Sequence, residues 1–133
     1  MAELLAEPDL VDGLIDWLPE RLEQNGAKAT VSGRVEDAPH VRIVDTGGTD
    51  TRDGVLVGQQ ITLECFGRTL TESSRLMRVS SALIRSLVGE DYLPGVIVYR
   101  VGSLGGGANS ADQVTKRNRY TRTLVVDTRL TAL

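Results

Sequence analysis

Residues 58–67, GQQITLECFG, run straight into residues 68–89, RTLTESSRLMRVSSALIRSLVG, and this junction decides the fold. The first segment alternates, with Ile61, Leu63 and Cys65 on one side and Gln60, Thr62 and Glu64 on the other. A period of two with one apolar side belongs to a strand buried on a single face. The period then changes. Leu76, Ser80, Leu83 and Leu87, widened by Met77, Ile84 and Val88, recur at helical spacing and form an apolar stripe. Thr69-Leu70-Thr71-Glu72 stands at the switch and fits a capping box. There Thr69 accepts from the N–H of Glu72, and the Glu72 carboxylate reaches back to the N–H of Thr69. Gly89 follows the last apolar position, where a left-handed helix end suits glycine. A strand that feeds an amphipathic helix needs a sheet for that helix to lie on.

Upstream, the stretch from Pro8 to Gln24 carries Leu10, Val11, Leu14, Ile15, Leu18 and Leu22 on one helical face. Asp12, Asp16, Glu20 and Glu23 lie largely opposite. Pro8 suits a first turn. Pro19 predicts a kink or a division, because its ring clashes with the carbonyl one turn back. Trp17, the only tryptophan, sits beside the stripe and reads as packing. Lys28 to Val35 and His40 to Val44 read as strands separated by Pro39, the second with Val41 and Ile43 inward. Asp45 to Gly54, which includes Arg52 and Asp53, is polar and glycine-rich and reads as a long hairpin loop into the 60–66 strand.

Downstream, residues 95–101, GVIVYRV, are apolar on both faces, which predicts a strand covered on both sides or placed at an interface. Gly102 to Gln113 is rich in glycine and reads as a flexible loop; with Leu104 as its one apolar anchor, the stretch to Lys116 has little reason to order by itself. Arg119 to Arg129 is a long strand rich in β-branched residues. Its apolar side holds Tyr120, Leu124, Val126 and Leu130; Arg119, Thr121, Thr123, Asp127 and Arg129 mark the polar one. The expected fold is therefore α+β: a mainly antiparallel four- to five-stranded sheet with two helices packed on it, in a single domain over residues 1–133.

The 133 residues, 41% hydrophobic, suit one compact core. A net charge of −3 argues against an obligate nucleic-acid binder. The charge is uneven: residues 1–25 hold seven acidic groups and one Arg, and Lys116 to Arg129 holds five basic groups and only Asp127. That asymmetry suits electrostatic complementarity within or between subunits, and equally suits two ordinary solvated faces. Cys65 is the only cysteine, so no intrachain disulfide forms, and on the apolar side of its strand it reads as a small hydrophobe. His40 is the only histidine and lacks a second ligand at metal spacing. The 102–113 glycines lack the Gly-Lys-Ser/Thr of a phosphate loop and a following helix, and the 45–54 acids do not follow an EF-hand. No catalytic, cofactor or metal site is expected. The acidic N-terminus and the absence of any ~20-residue apolar run predict a soluble protein made in a cytoplasm.

Three segments, PHVRIVDTGGT at 39–49, ITLECFG at 61–67 with its following TLTESSRL, and RNRYTRTLVVDTR at 117–129, resemble the small tail terminator proteins of long-tailed, non-contractile, lambda-like bacteriophages. The resemblance covers most of the chain. It implies a structural protein of the virion's head–tail junction, assembled in the host cytoplasm, that forms a ring with other copies of itself, a hexamer in the family. Such a ring caps the tail tube, ends its polymerisation and joins the head-completion (stopper) protein of the neck. Its other partner is the major tail-tube protein; genomic DNA passes through the lumen without specific binding, and no membrane is involved. Another phage neck protein, or a monomeric α+β ligand-binding or regulatory module, stands as the alternative. For the contact between subunits, Val96, Val98 and Tyr99 are the expected apolar residues. Arg117, Arg119 and Arg122 are expected to face a neighbour's acidic groups, and Arg52 and Asp53 to reach out from their loop.

The capping box generates a direct test. Thr69→Ala is expected to cost about 0.5–2 kcal/mol, read as a lower denaturation midpoint at unchanged slope.

Overall fold

The structure, a computed structural model, describes residues 4–48, 55–109 and 117–132. Its elements, in chain order, are β1 (Leu5–Ala6), α1 (Leu10–Gln24), β2 (Thr30–Ser32), β3 (His40–Gly48), β4 (Leu56–Gly67), α2 (Leu70–Arg85), β5 (Val98–Asn109), β6 (Asn118–Arg129) and β7 (Thr131–Ala132). The main sheet has the order β2-β3-β4-β6-β5, with β2 parallel to β3 and every other pair antiparallel. A short antiparallel ladder, β1 with β7, ties the two ends of the described chain together. This is the expected α+β architecture with a mostly antiparallel sheet.

β4 is the middle strand. Its Ile61, Leu63 and Cys65 stand opposite Leu124, Arg122 and Tyr120 of β6, and Leu63 and Cys65 stand opposite Ile43 and Val41 of β3. Cross-strand partners share a face, so these residues make one surface, and both helices lie on it. α2 packs across β4, β6 and β5, and α1 packs beside α2 over β2 and β3. Leu76, Met77, Ser80, Ile84 and Leu87 are buried beneath α2 and the turn after it, as the stripe requires; Leu83 is partly buried, and Val88, past the end of the helix, is exposed instead.

α1 continues through Pro19 and is not divided there. Leu10, Leu14, Leu18 and Leu22, one per turn, are all buried. At about 1.5–3 kcal/mol each, they outweigh the roughly 3 kcal/mol that an internal proline costs. Asp9 caps the N-terminus, its Oδ1 accepting from the Asp12 N–H at 3.1 Å. Trp17 lies partly buried against the core, as packing, and stacks on Tyr92 with centroids 6.1 Å apart.

At the second helix the cap is as expected on one side only. Thr69 Oγ1 accepts from the Glu72 N–H at 3.1 Å, but Glu72 Oε1 accepts from the N–H of Arg68 at 2.8 Å, not from that of Thr69. The Arg68 guanidinium also donates to the carboxylate, at 3.2 and 3.3 Å. These bonds hold the Glu72 carboxyl below its ordinary range, the backbone N–H of Arg68 most of all. The helix closes at Arg85, four residues before Gly89. Gly89 does adopt positive φ, +77°. It serves there to turn the chain towards β5, its N–H donating to the Val98 carbonyl at 3.1 Å.

Two loops expected from glycine content are partly strand. β3 runs to Gly48, past a bulge between Asp45 and Gly47, so the hairpin loop starts later than residue 45. Gly102 to Asn109 belongs to β5 and pairs with β6 around a bulge between Leu104 and Ala108. Ladder hydrogen bonds to a neighbouring strand need no side chain, which is why glycine content alone misleads here. The remainder of that stretch, 110–116, lies outside the described residues.

Gly67 connects β4 to α2. A Cβ there would sit 2.8 Å from the Thr69 carbonyl oxygen and 2.9 Å from the Glu72 carbonyl carbon, with the Ser73 nitrogen closer still. All three are backbone atoms, which no rotamer change can move. Gly67→Ala is expected to destabilise the chain by about 1–3 kcal/mol, measurable by urea unfolding.

Candidate interface

The sheet face away from the helices is polar and partly exposed, and no described helix covers it. Strand alternation puts Arg42, Glu64 and Thr121 on it in one row, since Glu64 pairs with both of the others. Arg119, two residues before Thr121, lies diagonal to Glu64. The result is a clamp: Arg42 Nη1 to Glu64 Oε1 at 2.6 Å and Arg119 Nη1 to Glu64 Oε2 at 3.0 Å. Glu64 is left only 9% exposed. Arg42 Nε donates also to the Gly33 carbonyl at 3.1 Å, anchoring the loop after β2. Next to the clamp, Thr62 and Thr123 share a 2.9 Å hydroxyl bond across β4 and β6.

His40 lies at the end of this face, fully buried under the loop between β2 and β3. Its Nε2 donates to the Arg34 carbonyl at 2.8 Å, and its Nδ1 shares a hydrogen bond with the Thr30 hydroxyl at 2.6 Å. Phe66 stacks on the ring, with centroids 6.5 Å apart. Both nitrogens are thus spent on structure. On the helix side, burial pushes the Cys65 thiol up to about 12; the Ser80 hydroxyl and the Arg122 charge pull the other way and are outweighed. The Ser80 hydroxyl makes no hydrogen bond of good geometry. Cys65 therefore stays a protonated thiol near neutral pH. Among the described residues no group of three or more His, Cys, Asp or Glu is placed to hold a metal ion, and no helix is long and apolar enough to cross a membrane.

The three arginines expected to face a neighbour are not brought together. Arg119 clamps Glu64. Arg117 donates to the Glu36 carbonyl at 3.0 Å and approaches Asp37 Oδ1 at 3.7 Å, holding the same loop. Arg122 stands on the opposite, helix-covered face, facing Leu63, with its Nε buried and without a hydrogen-bond partner among the described residues. Positions 119 and 122 differ by an odd number, so in a strand they cannot share a face.

Alternation also sorts the apolar candidates. Val96 and Val98 are buried in the core of the chain itself and leave no surface for a neighbour. Tyr99 is 46% exposed, and Ile97, which sequence reasoning missed, is 44% exposed. The period-two rule applied to residues 96–99 separates the pairs and would have found Ile97. With Val88, also 44% exposed, Ile97 and Tyr99 line a groove of about 510 Å³ beside the start of the edge strand β5, rimmed by Glu90 and Asp91. Arg52 and Asp53 lie outside the described residues.

Glu64 holds two cations on separate strands, so its charge matters more than that of an ordinary surface group. Glu64→Gln is expected to lower stability by about 1–2 kcal/mol, below the full value of a charged hydrogen-bond pair because both arginines are about a third exposed. The check is a shift in the denaturation midpoint, largest at low salt. In sequence, no family model matches the chain and no curated protein matches it.

Proposed function

We propose that this chain is a structural subunit that works by contact: a tail terminator of a lambda-like phage, which closes into a ring, caps the tail tube and offers its other side to the neck. The groove of Val88, Ile97 and Tyr99 carries the reading. Three large apolar side chains, each nearly half exposed and set together at a sheet edge, are the surface expected of a protein that must meet another. The side chains best suited to chemistry support the same reading by being otherwise engaged: His40 and Glu64 are bound into the fold, and the Cys65 thiol is buried and protonated. The segments at 39–49, 61–76 and 117–129 supply the family resemblance.

The test is to assemble tubes from the cognate tail-tube protein with and without this chain. Uniform tube lengths and a ring at one end in electron micrographs are expected with it. Ile97→Asp with Tyr99→Asp should abolish the ring while leaving circular dichroism unchanged, since both side chains are half in solvent. Equal tube lengths and bare ends in the presence of the wild-type chain would show the reading to be wrong.

A further inference from the structure

The outer faces of the two helices carry opposite charge. On α1 the exposed side is Asp12, Asp16, Glu20 and Glu23; on α2 it includes Arg78, Ala82 and Arg85. Exposed helices are commonly laced by pairs of opposite sign three or four residues apart. Here the signs are largely segregated: the one base of α1, Arg21, donates to Gln24 Oε1 at 3.2 Å, and the one acid of α2, Glu72, is paired with Arg68. None of the four acids, nor Arg78 or Arg85, forms an ion pair among the described residues. A row of like charges at this spacing destabilises its own helix, and Glu23 sits in the last turn, where the helix dipole disfavours it. The hydrogen bond with Asp9, followed by repulsion from Asp9 and Asp16, raises the Asp12 carboxyl above its ordinary range.

We infer that copies of this chain join head to tail through the helix layer, the acidic face of α1 in one copy lying antiparallel on the basic face of α2 in the next. The spacing matches. Asp16 and Glu23 are seven residues apart, as are Arg78 and Arg85, which is about 10.5 Å along either helix. Asp16 then meets Arg85, Glu23 meets Arg78, and Glu20 falls level with Ser81, one residue from the small, exposed Ala82. The apolar parts follow in the same register. Beyond the end of α2 lies the groove of Val88, Ile97 and Tyr99; before the start of α1 lie Leu4 and Leu5, both exposed. An all-polar contact rarely holds a specific interface, and these residues add the apolar component. The opposed helix dipoles favour the antiparallel arrangement. Arg75 is turned towards its own chain, its Nη2 donating to the Asn25 carbonyl at the end of α1 at 3.2 Å; Arg85 Nη2 donates to the Ser103 hydroxyl of β5 at 2.7 Å, and a guanidinium with five donors can hold that bond and meet a carboxylate as well.

A contact made from two different surfaces leaves one of each free on every open assembly, and is satisfied only when a ring closes. The inference deepens the ring reading above and rests on it for closure, but the contact is tested without a tail tube. One variant carries Asp16→Lys and Glu23→Lys, the other Arg78→Glu and Arg85→Glu. Sedimentation and native mass spectrometry at low salt should show the wild type as a closed oligomer larger than a dimer. Each variant alone should associate about tenfold more weakly or worse, and an equimolar mixture should recover assembly, because each reversed face then finds its complement. If either reversed variant fails to fold by circular dichroism, the neutral pairs Asp16→Asn with Glu23→Gln, and Arg78→Gln with Arg85→Gln, replace both; each should associate more weakly and lose the salt dependence of the wild type. A wild type that stays monomeric at its highest soluble concentration, one that stops at a dimer, folded reversed variants that assemble like wild type, or folded variants whose mixture gives no recovery would each overturn the inference. So would neutral variants that keep wild-type association and salt dependence. Rings that fail to cap tubes would count against the terminator reading alone, and capped tubes without charge-swap recovery against this contact alone.

Discussion

The fold depends on one close approach. β4 and α2 are joined by only Arg68 and Thr69, and the first turn of the helix comes down on the backbone of Gly67. Any side chain at that position would meet backbone atoms of Thr69, Glu72 and Ser73. The missing Cβ lets the chain turn from strand to helix without leaving the sheet. Three polar contacts then lock the turn: the Thr69 hydroxyl on the Glu72 N–H, and the Glu72 carboxylate on the backbone and the guanidinium of Arg68. Because β4 is central and pairs along its length with β6, the position of α2 follows from this junction, and the core between them follows from α2.

The rest of the molecule divides by polarity around that core. One sheet face is buried under two helices. The other is organised by Glu64, whose two oxygens hold arginines from β3 and β6. Exposed ion pairs contribute little as a rule; this one differs in that the carboxylate is nearly buried and joins three strands at once. Two of the basic residues near the end of the chain are engaged inside it, Arg117 by the 33–39 loop and Arg119 by Glu64. Among the described residues, the apolar groove at the β5 edge and the two oppositely charged helix faces are open to another molecule. The proposed ring uses both.

Much of this was legible in local pattern. The alternation of Ile61, Leu63 and Cys65, the one-per-turn leucines of α1 and the Thr69 cap each depend on neighbours within a few residues, where the periods of strand and helix are strict. Alternation also separates residues that lie close in sequence: Arg119 and Arg122 stand on opposite faces because their spacing is odd, and Val96 and Val98 are buried while Tyr99 is exposed. Glycine content suggested loops at 45–48 and 102–109, but a strand's ladder is made by the backbone, and whether a partner strand lies alongside is not a local property.

The sequence by itself determined the type of nearly every element and the buried side of both helices, because periodicity and capping are encoded within a turn or two. Only the tertiary structure decided which strand lies at the edge, which carboxylate each arginine meets, and which charges are left without a partner. Those depend on pairing between segments distant in sequence, such as Glu64 with Arg119, 55 residues apart, and local pattern carries no record of such pairing.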